Sequence, residues 1–382
     1  MKLTALFKEF FESEKSSGII LIACTIVSLV IANSFLGNDY IDFWKIKFAG
    51  LSIEHWINDA LMAIFFLMIG LELEREVYQG ELSNPKDAML PIFAAFGGII
   101  FPASIYMAFN YGTETSSGAG IPMATDIAFA LGILSLLGNK VPISLKIFLT
   151  ALAVIDDLGA IIIIAIFYTS TLSITNLLIA LGVFAILLVL NKMKIMNLIP
   201  YLIGGIIMWI FMLKSGVHAT ITGVLLAFAI PFGNGDENST SYKLQHFLHK
   251  PVAFIILPIF ALANTAIVLS SDFATMITQN YSLGIALGLI IGKPLGITLL
   301  AFISVKVGLT KLPAELNWKI IIGVGFLAGI GFTMSIFITL LAFDNSAIIN
   351  NAKFMILISS LVAGLIGYFS LNKILANNIY SE

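Results

Sequence analysis

The chain has 382 residues, 59% hydrophobic and 11% charged, with a mean hydropathy of +1.01. Soluble domains carry about 25% charged residues, so this composition indicates a polytopic membrane protein with no length left for a separate soluble domain. A formal net charge of -2 argues against an acidic or nucleic-acid partner, and a lone cysteine, Cys24, excludes an intrachain disulfide.

From the N-terminus, MKLTALFKEFFESEKSSG mixes Lys with Glu ahead of an apolar run, which reads as a first span rather than a cleaved leader. Twelve apolar segments run along the chain: 16–35, 56–80, 88–110, 119–138, 142–168, 174–191, 198–213, 216–232, 246–270, 282–305, 318–341 and 351–376. Most have the roughly 17–25 residues that a spanning helix requires. The expected fold is an all-α polytopic membrane protein, one domain over 1–382 with twelve transmembrane helices. Of the 20 Lys and Arg, four (Lys45, Lys47, Lys214 and Lys353) fall on the outer side when both termini are cytoplasmic. Lys293 lies inside a span and the rest collect on the inner side, which fixes that orientation.

In the first outer loop, DFWKIKFAGLSIEHW (Asp42 to Trp56) alternates polar and apolar residues around Ala49-Gly50. It reads as a β-hairpin, centred on 42–54, or as an irregular loop. An isolated hairpin is marginal in water, so a hairpin here would pair with a second copy and make a homodimer contact.

Two segments look broken. Gly118-Ala-Gly-Ile-Pro122 precedes MATDIAFALG in the fourth, and the eleventh, GVGFLAGIGFTMSIF, carries Gly323, Gly325, Gly329 and Gly331. Interrupted spans in corresponding positions of two halves mark the binding site of inverted-repeat transporters. Glycine is also common in membrane helices simply because it permits close packing.

Four ionisable residues lie deep within spans: Asp126, Asp156, Asp157 and Lys293. Asp156 stands ten residues after Lys146 and twelve before Tyr168. At about 1.5 Å per helical residue it is roughly 15 Å from either end of its span, near the midplane of a core about 30 Å thick. A charge there costs at least about 2.5–3.5 kcal/mol. Charges at one depth on three helices escape lipid only if those helices pack together. Adjacent residues diverge by about 100° on a helix, so one of Asp156 and Asp157 faces Lys293 while the other faces Asp126.

Two carboxylates from different helices, the Thr125 hydroxyl and carbonyls freed by the breaks form an all-oxygen set suited to a hard cation. Burial and a second carboxylate make protonation competitive with cation binding, which is the chemistry of an exchanger. A static Asp156–Lys293 bridge is the plainest alternative, and it leaves two acids unexplained. An intramembrane aspartyl protease would hold water between two aspartates, but neither Tyr-Asp nor Gly-x-Gly-Asp occurs at these acids. A cation channel usually gathers its acids by oligomeric symmetry, whereas these lie on unlike helices. Asp59, shallower in WINDALMAIFF, lines an access funnel or caps the helix start.

Six motifs, WINDALMAIFFLMIGLELERE (56–76), ATDIAFALG (124–132), ALAVIDDLGAIIII (151–164), SGVHAT (215–220), LPIFALANT (257–265) and GLIIGKPLG (288–296), occur in this order. Through them the chain resembles the bacterial NhaA-type Na⁺/H⁺ antiporters over about residues 10–376. The resemblance implies that Asp157 and Asp126 are cation-binding carboxylates with Thr125 beside them, and that Asp156 pairs with Lys293 and takes part in proton exchange. It implies two crossed broken helices whose dipole ends are compensated by Asp126 and Lys293. It further implies a carrier, not an enzyme, in the bacterial inner membrane. Na⁺ or Li⁺ leaves in exchange for more than one H⁺, with no cofactor.

The family is also regulated by pH. Glu72 and Glu76 share a helical face at the inner end of the second segment, and QHFLHK supplies His246 and His249, which titrate near neutrality. Gln245 stands where an acid is expected, which puts the set point in question. A metal reading of HxxH lacks a third ligand, and His218 in GVHAT is either a sensor or a packing residue.

Overall fold

Inside hydrocarbon every backbone amide needs a partner within its own segment, so long apolar runs resolve into helices. The computed structural model describes residues 2–169, 172–268 and 273–379. In chain order its helices begin with α1 (Lys2–Ala32), α2 (Gly37–Lys45), α3 (Ile53–Trp56), α4 (Met62–Tyr78), α5 (Pro85–Asn110) and α6 (Ile127–Leu136). Then come α7 (Ile143–Phe167), α8 (Ile174–Lys192), α9 (Ile199–Ser215), α10 (Ile221–Ala229), α11 (Thr240–Pro251) and α12 (Leu257–Asn264). The last are α13 (Phe273–Thr278), α14 (Asn280–Leu287), α15 (Lys293–Lys306), α16 (Trp318–Ala328), α17 (Phe332–Ala342) and α18 (Ser346–Ile379).

Among the described residues nine helical stretches are long and apolar enough to cross a membrane, or ten with the pair α16–α17, which is bent by 49°. The two other expected spans are short. The seventh is α9, with 17 residues, and the eighth keeps only the nine residues of α10. Local chemistry explains the shortening. Gly216, at φ 85°, closes α9, and 217–220 form a turn in which Ile221 N donates to His218 O. At the other end Ile230 is extended, as a residue before Pro231 prefers.

Three spans contain a π turn, at Ile57–Leu61, Val252–Ile256 and Gly288–Gly292. The second and third each end two residues before a proline, Pro258 and Pro294. Proline has no N–H and crowds the carbonyl four residues back, which favours a local widening of the helix. The first has no proline, and nothing in its sequence announces it.

The hairpin is smaller than its alternating sequence predicts. Strands β1 (Lys47–Phe48) and β2 (Leu51–Ser52) pair antiparallel, Lys47 opposite Ser52 and Phe48 opposite Leu51. The turn between them places Ala49 at φ 49° and Gly50 at φ 88°, which suits a two-residue hairpin loop. Residues 42–45 are helical instead, at the end of α2. Ser52 caps α3 by accepting from His55 N at 3.1 Å, which ends the strand.

Two close crossings set the frame. α4 lies against α10, and α5 against α15. At the second, Gly97 and Gly296 meet main chain to main chain. A Cβ on Gly97 would stand 2.0 Å from the Gly296 carbonyl oxygen, and one on Gly296 would stand 2.1 Å from that of Gly97. Small residues permit this approach. It brings Lys293, one turn before Gly296, beside α5.

Candidate functional site

The fourth span starts as a 3-10 helix, Ser116–Met123. It unwinds at Ala124, Thr125 and Asp126 and resumes as α6. The eleventh unwinds between α16 and α17, at 329–331. Unwound backbone in hydrocarbon must be satisfied by protein, and the two breaks satisfy each other. Asp126 N donates to Ile330 O at 2.6 Å, and Thr125 Oγ1 donates to Ala328 O at 2.8 Å. Ser335 Oγ on α17 donates to Ile121 O at 2.7 Å, adding a third link.

Asp126 is the hub of this crossing. Its Oδ1 accepts from Phe129 N at 3.0 Å, capping α6. Its Oδ2 accepts from Thr333 N at 3.0 Å and from Thr333 Oγ1 at 2.5 Å, capping α17 as well. One carboxylate therefore faces two helix N-termini, where orphan amides and the helix dipole both favour negative charge. Thr333 joins the candidate site here without having been singled out in the sequence. Its signal is a hydroxyl two residues after Gly331 in GFTM.

On α7, Asp156 Oδ2 is ion-paired with Lys293 Nζ, and both side chains are fully buried, at 0% exposure. Thr125 Oγ1 also donates to Asp156 Oδ2, at 2.7 Å, so one hydroxyl proton serves Asp156 and the Ala328 carbonyl. Thr125, next to Asp126 in the chain, thus also ties the unwound segment to Asp156. Its side chain leaves the extended backbone toward α7, whereas that of the next residue leaves toward α17.

Asp157 is different. It is buried, its Oδ1 accepts no hydrogen bond, and it lies in the field of Asp156, Asp126 and Glu72. The second oxygen of Asp156 is equally unsatisfied. Buried carboxylate oxygens without partners are costly, and here two from adjacent residues share one depth. Among the described residues no three acids, histidines or cysteines gather closely enough to hold a metal ion. A cation here would draw on carboxylate, hydroxyl and carbonyl oxygens together, as hard cations accept.

A cavity of about 30 Å³, room for about two water molecules, lies between α4, α6 and the π turn of the ninth span. Glu72 and Met68 line one wall, His249 and Val252 a second, and Ile127 and Ala128 the third. Ile127 follows Asp126 directly in the chain, so one wall of this cavity is the first turn of α6, next to the crossed breaks. Glu72 is buried, and its Oε1 accepts no hydrogen bond.

The remaining expected residues divide. Glu76 is buried and accepts from Arg75 at 3.4 Å, one turn from Glu72. His246 is exposed and stacks on Tyr242, with ring centroids 6.1 Å apart, away from the cavity that His249 lines. His218 lies at the other face of the membrane, its Nε2 2.6 Å from Tyr168 O. Asp59 does not cap a helix start, since Ser52 does that. It sits in the first π turn, paired with His55 Nε2 at 2.9 Å.

The family profile described as Na⁺/H⁺ antiporter 1 matches residues 8–371. The Na⁺/H⁺ antiporter NhaA of Flavobacterium psychrophilum is 74% identical over 379 residues, which is 99% of each chain. That of Dechloromonas aromatica is 63% identical over 375 residues, 97% of this chain and 96% of its own. Among solved structures, the sodium proton antiporter MjNhaP1 from Methanocaldococcus jannaschii aligns over all of both chains, with a TM-score of 0.55 at 14% identity. At that identity the likeness speaks for the fold alone.

Proposed function

Because the chain belongs to the Na⁺/H⁺ antiporter 1 family, it is a multi-pass membrane antiporter and not an enzyme, and we propose that it exports Na⁺ or Li⁺ in exchange for more than one H⁺. The single observation that carries this reading is Asp157, a buried carboxylate with an unpartnered oxygen beside the Asp156–Lys293 pair. Its charge needs either a proton or a cation. Na⁺ bound by Asp157, with Asp126 turning from its helix caps to join it, would neutralise the acids. A proton would do the same and displace the cation. Asp156 and Lys293 carry the second exchangeable proton, since separating that pair leaves each partner free to change its protonation. More protons than cations cross per cycle, so transport is electrogenic and the membrane potential helps to drive sodium out.

Glu72 and His249 stand where a pH sensor would act, on the walls of the cavity that Ile127, the chain neighbour of Asp126, also lines. Glu76 and His246 extend this cluster toward the surface, and Asp59 and His218 line the approach from the opposite face. The protein works in the bacterial inner membrane with both termini cytoplasmic, and pairs with a second copy through β1–β2, where Phe48 is exposed. Asp157→Asn in proteoliposomes is the test. It keeps the side chain's shape but removes the charge, and Na⁺-driven proton movement should vanish. Appreciable exchange would refute Asp157 as a required ligand. A pH-sensitive dye read against Na⁺, Li⁺ and K⁺ across neutral and alkaline pH gives selectivity and set point.

A further inference from the structure

One buried cation has no part in the exchange site. Lys353 lies on α18, seven residues from its start, and is only 5% exposed. Its Nζ donates to Asn264 Oδ1 at 3.3 Å and stands 3.9 Å from Glu54 Oε1. Asn264, the last residue of α12, in turn donates to Asn58 Oδ1 at 2.8 Å. Counting crossings from the N-terminus, Lys353, Asn264 and Glu54 all lie at the face opposite to Glu72 and His249. The contact also joins helices with different main neighbours. α18 packs with α14, α16 and α17, whereas α12 packs mainly on α1, with a smaller contact to α17, and the second span begins at α3.

A lysine inside an apolar span is costly unless it has work to do. This one is loosely held. Its ammonium carries three N–H donors, and it makes one long hydrogen bond to Asn264 and faces the Glu54 carboxylate from beyond hydrogen-bond reach. Glu54 also keeps 35% of its side-chain exposure, so water already reaches it. A contact made to stay shut gains from tight, dry partners. A contact that opens in every cycle needs partners that water can replace at little cost, and this one has them.

We propose that Lys353 is the closing latch of the face opposite the cavity, and that its release from Asn264 and Glu54 lets these helices part and exposes the ion site there. The proposal rests on the antiporter reading, because a carrier that opens its site to each side in turn must seal one face while the other is open.

Spin labels at Asn38→Cys and Ser346→Cys, both exposed on the latch face, report the separation in a Cys24→Ser background. Lys353→Met should add a population at longer distance, whereas Lys353→Arg, which keeps the cation, should retain the wild-type distribution. An unchanged distribution in Lys353→Met, with or without a lower melting temperature, overturns the latch and makes the contact a static staple. A second arm joins Glu54→Cys to Lys353→Cys with a short reducible thiol crosslinker. Exchange should fall at least about tenfold and return on reduction, and full exchange while crosslinked overturns the proposal. Wild-type vesicles measured alongside separate the two ideas. Absence of Na⁺-driven proton movement there defeats the antiporter reading, while the spin-label distances judge the latch by themselves.

Discussion

Among the described residues two buried lysines have acidic partners, and the molecule treats them differently. Lys293 and Asp156 are both fully buried and in direct contact, with a hydroxyl from Thr125 completing the carboxylate. Lys353 faces Glu54 across 3.9 Å, with the acid a third exposed. The first pair sits at the crossing of the broken spans, and the second sits at one membrane face. The difference teaches that burying a charge is not one design. Where both partners are dry, removing one leaves the other uncompensated; where one partner is wet, water can take its place.

Substitution by methionine exposes the contrast most directly. Lys293→Met should lower stability by about 3–5 kcal/mol, because Asp156 is left alone in the interior, and exchange should be lost with it. Thermal unfolding in detergent measures this, and an unaltered melting temperature would argue against the bridge. Next in size is Thr333→Val, which removes the hydroxyl donor to Asp126 but keeps the amide. A hydrogen bond to a charged group contributes about 1.5–3 kcal/mol, so a clear drop in melting temperature and weaker cation affinity are expected; an unchanged Na⁺ dependence would separate Asp126 from the ion. Lys353→Met should cost no more than about 1 kcal/mol, since Glu54 can rehydrate. If it destabilises as much as Lys293→Met, the two pairs are alike and the comparison collapses. Smallest for transport is deletion of Lys45 to Leu51, which should weaken dimers in crosslinking while exchange continues; dimers that persist unchanged would place that interface elsewhere.

Much of this was legible in the sequence, and the reasons are physical. Depth alone brings Lys293 to one of Asp156 and Asp157, because the hydrocarbon tolerates charges only where they meet, and the family resemblance picks Asp156. The two breaks were visible because glycine and proline punctuate helices whatever surrounds them. What escaped depends on neighbours. The partner of Thr125 is set by which way an extended residue leaves the chain, which no spacing encodes. Lys353 reads as a loop cation near the start of its segment, and only the packing of Asn264 and Glu54 against it shows that it is buried. The hairpin's alternation was read as longer strands, yet Asp42–Lys45 satisfies its backbone as a helical turn instead. The π turns at Val252–Ile256 and Gly288–Gly292 had a signal in the following prolines, and the turn around Asp59 had none.

The meeting of Gly97 and Gly296 has a mechanical meaning. With no side chain between them at that point, the two main chains set the spacing of α5 and α15 themselves, and a methyl at either position would force the helices apart. Lys293 stands one turn away, so the same spacer would also move that charge relative to α5.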